Sequence, residues 1–525
     1  MERGLRRYAD PLILLLLAFT CYLLFFHRLG GLGLVGPDEP RYAAVAREMF
    51  LTGDYVTPRL HGAPWFEKPV LLYWGAVLGY ALFGVNEIGV RFPSAAGATL
   101  SVFLIYLCCR RLWGRPVGLF AALTMASSVG FFSFARAAAM DMPLTACLTP
   151  ALASFLIASH ETGRSRRRWF YAFYAFLGLG LLAKGPIAVV LPGLALGAYM
   201  VRRRLWSEWK SWHPEGVLIL FAVAAPWYVA VTWANGAAFI NEFFINHNLQ
   251  RFSSTIHGHW WPVYFYVPVL FAMTFPWTFM LIPALGRRIE RDEELLLWWA
   301  AIPLVVFSLS GSKLPGYILP SLPPIAILCA KELWQPVSRS FRVAVFLEVG
   351  ATIFLGILFG VFGHMLNVDP HVDGRVILAV AGLLAMALAA VAMWSRPWFL
   401  GVLNSASIAL LVLAIADFIF PRFDATDTMR PWKGVLEELV TQDQVVFLYK
   451  PARWAEYGLQ YYRYNKAQGI FSQEELLRLT ENSSRVLCIA ADNTLDELSR
   501  LTKVEMEVVQ RIGKQTAFWA WQPGD

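Results

Sequence analysis

The sequence predicts an all-α polytopic membrane domain of about 13 transmembrane helices, followed by a small α/β domain outside the membrane. Three observations predict it. The 525-residue chain is 57% hydrophobic and only 16% charged, whereas soluble chains carry roughly a quarter of their residues as charges. Apolar runs of spanning length recur from residue 11 to about residue 420. Beyond Pro421 the runs VVFLY, RVLCIA and TAFWAW read as short strands, with PARWAEYGLQYYRY and SQEELLRL as helices between them. The division is therefore a membrane domain, 1–420, and an α/β domain, 421–525.

The elements follow in order. MERGLRRYAD leads into PLILLLLAFTCYLLFF, a long run with no small-residue cleavage site, which reads as an uncleaved first span. Arg3, Arg6 and Arg7 place the N-terminus on the cytoplasmic side. Later clusters at Arg110/Arg111/Arg115, Arg164 to Arg168, Arg202 to Arg204, Arg287/Arg288/Arg291 and Lys331/Arg339/Arg342 all fall inside for spans near 11–27, 91–109, 117–134, 143–159, 169–183, 186–200, 215–233, 263–285, 295–310, 315–330, 343–365, 376–394 and 398–417. This leaves the C-terminal domain outside. The run PVLLYWGAVLGYALFG, 69–84, would invert every later cluster if it crossed, and it is short, so it reads as an interfacial helix. GPDEPRYAAVAREM, 36–49, reads as a second short helix at the same interface, and the apolar faces of both are expected to rest on lipid and form a groove.

The net charge of +8 comes mostly from arginines in short inner loops, which excludes a nucleic-acid face. Five of the six cysteines fall in or beside spans, only Cys488 lies in the outer tail, and no zinc spacing occurs. The C-terminal domain has no glycine-rich nucleotide loop, so no nucleotide cofactor is expected; packing or gating is its expected role.

Polar residues gather at the outer face. The first loop supplies Asp38, Glu39, Arg41 and Tyr42, then Glu67, Lys68 and Tyr73. FARAAAMDMP supplies Arg136 and Asp141, LLAKGP supplies Lys184, the loop before span eight supplies His247, Arg251, His257 and His259, and SKLPGY supplies Lys313 and Tyr317. Each has a structural reading. Arg47 and Glu48 suit a solvated helix surface, Arg91 and Lys184 suit snorkelling at span ends, and Asp141 suits an N-cap before Pro143. The set as a whole points elsewhere, because charges beside hydrocarbon are costly and mark sites. Several cations with a few acids suit an anionic lipid-linked substrate: Lys68, Arg251 and Tyr317 as phosphate donors, Asp38 and Asp141 for sugar hydroxyls or an amine.

The motifs GPDEPRYA, WFEKP..LYW, ARAAAMDMP, LLAKGP, HNLQRF and SKLPGYILP, in this order over residues 10 to 330, resemble the lipid-linked glycosyltransferases of the GT-C fold. Within them the resemblance is to the aminoarabinose transferases that modify lipid A, with protein O-mannosyltransferases more distant. It implies a sugar donor on undecaprenyl phosphate and a lipid A or other periplasmic acceptor at the outer face of the bacterial inner membrane. It implies Asp38 and Asp141 at the reaction centre, with Lys68, Arg251 and Tyr317 on the phosphate and Lys184 beside them. Tyr42, Glu39, Tyr73 and Lys313 complete the expected substrate-binding set. Glu67 and His247 resemble positions associated with a divalent metal, zinc being the expected ion, and His257 and His259 rival His247.

The expected chemistry is displacement at the anomeric carbon, with cations neutralising the leaving phosphate. A lipid A phosphate needs no strong base, whereas a hydroxyl acceptor would make Asp38 a general base. The alternatives are a protein O-mannosyltransferase-like enzyme, a transferase of another lipid-linked sugar, and a lipid-linked sugar transporter. A transporter would carry charges at mid-span, and these are nearly absent.

Overall fold

The computed structural model describes residues 2–206, 208–243, 261–362, 397–481, 485–498 and 504–522. Helices dominate up to residue 439, and five of the described ones are long and apolar enough to cross a membrane, or seven if two bent pairs each count as one. The first helices are α1 (Glu2–Cys21), α2 (Asp38–Thr52), α3 (Leu71–Phe83), α4 (Glu87–Trp113), α5 (Arg115–Ser127), α6 (Val129–Ala135), α7 (Asp141–Ser159), α8 (Gly163–Lys184), α9 (Ile187–Arg203) and α10 (Val217–Asn235). A two-residue-per-strand hairpin, β1 (Arg59–Leu60) with β2 (Ala63–Pro64), stands between α2 and α3.

Three expected spans differ in shape. The 117–134 run bends by 67° between α5 and α6, and the 263–285 run bends by 106° after Thr274. The two breaks are joined, because the Val129 N–H donates to the Phe275 carbonyl at 3.0 Å. Each break frees backbone groups that the bilayer cannot satisfy, and here one break answers the other. The 315–330 run opens as a 3₁₀ turn, Pro315–Ser321, before the α-helix Leu322–Glu332. The expected span at 376–394 lies outside the described residues.

α3 is a 13-residue apolar helix, too short to span. It lies close across the start of α4: a Cβ at Gly79 would sit 2.0 Å from the Gly89 carbonyl oxygen. Leu78, Leu82 and Phe83 are exposed along it, an apolar surface of the kind that rests on lipid. α2 departs from that expectation. Every residue from Glu39 to Arg47 is buried, because a second layer covers its outer side.

That layer is the C-terminal domain. The last apolar helix runs on from Trp398 to Asp427, so the expected boundary at 421 falls inside it. After the helix Arg430–Leu439 comes a five-stranded mixed sheet of order β4-β3-β5-β7-β6, built from β3 (Val446–Tyr449), β4 (Ala467–Ile470), β5 (Val486–Ala491), β6 (Glu505–Ile512) and β7 (Gln515–Trp521). Successive residues alternate between two cores, as the strand period requires. Leu448, Leu487, Ile489 and Ala517 join the core that holds α2 and α3, while Tyr449, Cys488, Ala490 and Phe518 form one on the other face. Cys488, the one cysteine of the C-terminal domain, is thus fully buried.

Candidate active site

The site begins with a buried carboxylate. Glu39 accepts from the Val35 N–H at 2.9 Å, the Ala138 N–H at 2.7 Å, and Arg91 at 3.0 and 2.7 Å. Arg91 uses its remaining donors on the carbonyls of Leu29, Leu32 and Gly33. A buried guanidinium is costly unless it is paired and its donors are used, and here both conditions are met. Both side chains are thereby saturated. Glu39 ties the first loop, α4 and the segment before α7 together, and Arg91 is its buried partner rather than a snorkelling residue.

This tie sets two acidic clusters, because Asp38 is the residue before Glu39 and Asp141 is three residues after Ala138. In the first cluster, Arg41 donates to Asp38 Oδ1 at 2.6 Å and stands 3.1 Å from Glu67, which lies 3.7 Å from Lys68. Asp38 is the half-exposed member, while Arg41 and Glu67 are buried. Burial opposes the Arg41 charge, and the Glu67 and Asp38 carboxylates reverse this, so the guanidinium stays cationic. Tyr42 and Tyr73 pack edge-on behind them with centroids 6.2 Å apart. Burial and the neighbouring carboxylates drive both phenols up, so both remain neutral.

In the second cluster, Lys184 at the end of α8 donates to Asp141 Oδ1 at 2.5 Å, and its ammonium lies 4.6 Å from the Tyr317 ring centroid. Asp141 does not cap its helix. It is the first residue of α7, and the N-cap, Met140, makes no side-chain cap bond. The SKLPGY turn closes the cluster from the other side. A Cβ at Gly316 would lie 2.6 Å from the Asp141 carboxylate and 2.7 Å from the Phe134 ring, so only glycine fits. Lys313 is buried and donates to the Ser310 carbonyl at 2.7 Å, which gives it a role in holding this turn.

Other expectations changed on folding. Arg47 is 2% exposed and not on a solvated surface: it donates to the Tyr461 carbonyl and to Asn465 Oδ1, sandwiched by the Tyr461 and Tyr464 rings. Arg136 donates to the carbonyls of Leu24 and His27 and so ties off the first helix. His247, Arg251, His257 and His259 lie outside the described residues. Among the described residues no three His, Cys, Asp or Glu side chains converge to hold a metal ion. Glu67 lies 3.1 Å from Arg41 and 3.7 Å from Lys68, and its expected metal-binding partner, His247, is among the residues outside those described.

The arrangement can bind an anion beside Lys68, hold a sugar between carboxylates, and take positive charge at Asp38 and Asp141. Sequence reasoning did not find the Glu39–Arg91 pair, whose members are 52 residues apart, or Arg41 as the bridge between Asp38 and Glu67. Gly316 was visible in its motif without a reason for being glycine.

The sequence profile of the family described as dolichyl-phosphate-mannose-protein mannosyltransferase matches residues 67–229. An undecaprenyl phosphate-alpha-4-amino-4-deoxy-L-arabinose arabinosyl transferase of Pseudomonas fluorescens is 34% identical over 380 residues, 69% of this chain and 64% of its own length. The chain thus spans slightly under two thirds of that relative. The protein of the same name from Erwinia tasmaniensis is 31% identical over 400 residues, 72% of each chain. The crystal structure of ArnT from Cupriavidus metallidurans bound to undecaprenyl phosphate has a similar fold, with TM-score 0.81, 24% identity, and 96% of this chain and 97% of that one covered.

Proposed function

The chain belongs to the family of undecaprenyl phosphate-alpha-4-amino-4-deoxy-L-arabinose arabinosyl transferases, and we propose that it transfers 4-amino-4-deoxy-L-arabinose from undecaprenyl phosphate to a phosphate of lipid A. The reaction takes place at the periplasmic face of the bacterial inner membrane. The protein crosses that membrane 13 times in this reading, with the N-terminus inside and the C-terminal domain in the periplasm.

The observation that carries the reading is the pairing of two acidic clusters, Asp38–Arg41–Glu67–Lys68 and Asp141–Lys184–Tyr317, through the Glu39–Ala138 tie. In the reaction the bond between the anomeric carbon and the polyprenyl phosphate oxygen breaks, and the electron pair leaves with the phosphate. Lys68 neutralises the charge that builds there, with Arg251 and Tyr317 as further contacts. An oxygen of the acceptor phosphate forms the new bond from the opposite side of the sugar, inverting the anomeric carbon. That oxygen is already anionic, so no base is required.

Asp38 bonds Arg41 through Oδ1, and Oδ2 makes no hydrogen bond among the described residues, which supports a role toward the sugar ring or its amine. Asp141, held by Lys184, flanks the sugar from the second cluster. Glu67 and His247 would hold a zinc ion in this reading, and no step is routed through it. A lipid groove along the exposed face of α3 would take the polyprenyl tail.

The test is lipid A mass spectrometry in a bacterium that makes the undecaprenyl-phosphate donor and lacks its own transferase. Wild-type protein should add aminoarabinose, and Asp38→Asn should insert and fold without adding it. Unmodified lipid A with well-inserted wild type would overturn the reading. The second reading, a protein O-mannosyltransferase-like enzyme, draws on the profile match over 67–229; mannosylated periplasmic protein in the same cells would identify it.

A further inference from the structure

The C-terminal domain reaches the first acidic cluster through the ring of Tyr457. The guanidinium carbon of Arg41 lies 5.4 Å from the ring centroid of Tyr42, 5.5 Å from that of Trp65 and 5.8 Å from that of Tyr457. Tyr42 belongs to α2, and Trp65 directly follows β2. Tyr457 comes from the helix Arg453–Tyr462 between β3 and β4. The guanidinium carbon of exposed Arg453 lies 5.9 Å from the same Tyr457 centroid.

The helix that carries Tyr457 is fixed against α2 and the first loop. Tyr462 Oη accepts the Leu34 N–H at 3.0 Å and donates to Glu87 at 2.7 Å. Glu48 accepts from Asn465 at 3.0 Å, and Arg47 donates to the Tyr461 carbonyl. Tyr457 is therefore held over Arg41 by the anchored end of its own helix.

We propose that Tyr457 is a positioning residue of the transfer site, holding the Arg41 guanidinium in the bridge between Asp38 and Glu67. A guanidinium offers its edge to carboxylates and its faces to rings. Here the edge bonds Asp38 and approaches Glu67, while three aromatic rings surround the cation. Without Tyr457, one side of Arg41 opens to water, the cation gains rotational freedom, and half-exposed Asp38 loses its fixed rotamer. The C-terminal domain is in this view a wall of the active site, which no sequence motif indicates. The inference rests on reading the Asp38 cluster as the transfer site.

Steady-state transfer from a polyprenyl-phosphate sugar donor, with the full chain in detergent, tests it. Tyr457→Ala should lower kcat about tenfold and leave KM for the donor within about twofold, because positioning is lost and donor binding is not. Tyr457→Phe should restore the wild-type rate, since the ring and not the hydroxyl faces the cation. In an Arg41→Lys background, Tyr457→Ala should add no further loss, because both changes break one coupling. Arg485→Ala, an exposed residue just before the central strand β5 and beside Glu507 and Trp521, is the control and should behave as wild type.

Active Tyr457→Ala at wild-type kcat would overturn the inference. So would an equal loss from Tyr457→Ala in the wild-type and Arg41→Lys backgrounds, or a Tyr457→Phe variant as poor as Tyr457→Ala. Inactive wild type would instead overturn the functional reading beneath it.

Discussion

The Ala138 amide donates to the Glu39 carboxylate at 2.7 Å, and through that bond the residue after Asp38 holds the segment that leads to Asp141. Two acids that are about 100 positions apart in the chain are thus referred to one buried carboxylate. This bond is possible because Arg91 neutralises Glu39 from inside the fold.

Glu39→Gln should therefore act on the fold first. It removes one charge of a buried pair and leaves Arg91 without its counter-ion, at a cost of about 3–5 kcal/mol. Thermal unfolding in detergent should fall clearly, and transfer should fall with it. An unchanged melting temperature would contradict the clamp.

Asp141→Asn and Lys184→Met should behave differently. The pair is 12 and 16% exposed, less sealed than Glu39–Arg91, so the variants should stay folded. Each should lose about 10²-fold or more in transfer rate if the pair stabilises charge in the transition state. Initial rates measured beside melting curves distinguish this from unfolding.

Gly316→Ala tests packing against the same acid. Its Cβ would sit 2.6 Å from the Asp141 carboxylate, so the side chain must move away from Lys184. The rate should fall about as far as in Asp141→Asn, within a factor of roughly ten. Gly193→Ala is the control, since no atom lies within 4 Å of its added Cβ; its rate should match wild type.

Arg430→Ala should loosen the C-terminal domain. Arg430 donates to the carbonyls of Gly30 and Gly31 at 2.7 and 2.9 Å and pairs with Asp424, which itself accepts the Gly33 N–H at 2.6 Å. Losing it should cost about 2–4 kcal/mol, with carbonyls and a carboxylate left short of a donor. Limited proteolysis should then cut between residues 428 and 446 faster than in wild type.

The apolar runs, the short apolar helix α3 and the α/β tail could be read from the sequence, because periodicity and run length are local properties. The strands β4 and β6 were not read. β4 is four residues with a glycine, and most of β6 faces solvent, so neither carries an apolar alternation. The bends at Ser128 and after Thr274 were hidden for a similar reason: hydropathy does not register a break that is answered by a distant backbone partner, as Val129 is by Phe275.

In the site, the sequence by itself determined that Asp38, Lys68, Asp141, Lys184 and Tyr317 lie in motifs that resemble those of the lipid-linked sugar transferases. Only the tertiary structure decided which partners each of them meets. Glu39, a carboxylate adjacent to Asp38, is saturated by four donors, whereas Asp38 is half exposed with one oxygen bonded among the described residues. Arg47 and Arg41 belong to one helix and are both buried, yet one bonds a backbone carbonyl of the C-terminal domain and the other two acids. The physical reason is that desolvation and partner geometry, which separate a structural charge from a chemical one, come from segments far away in the chain.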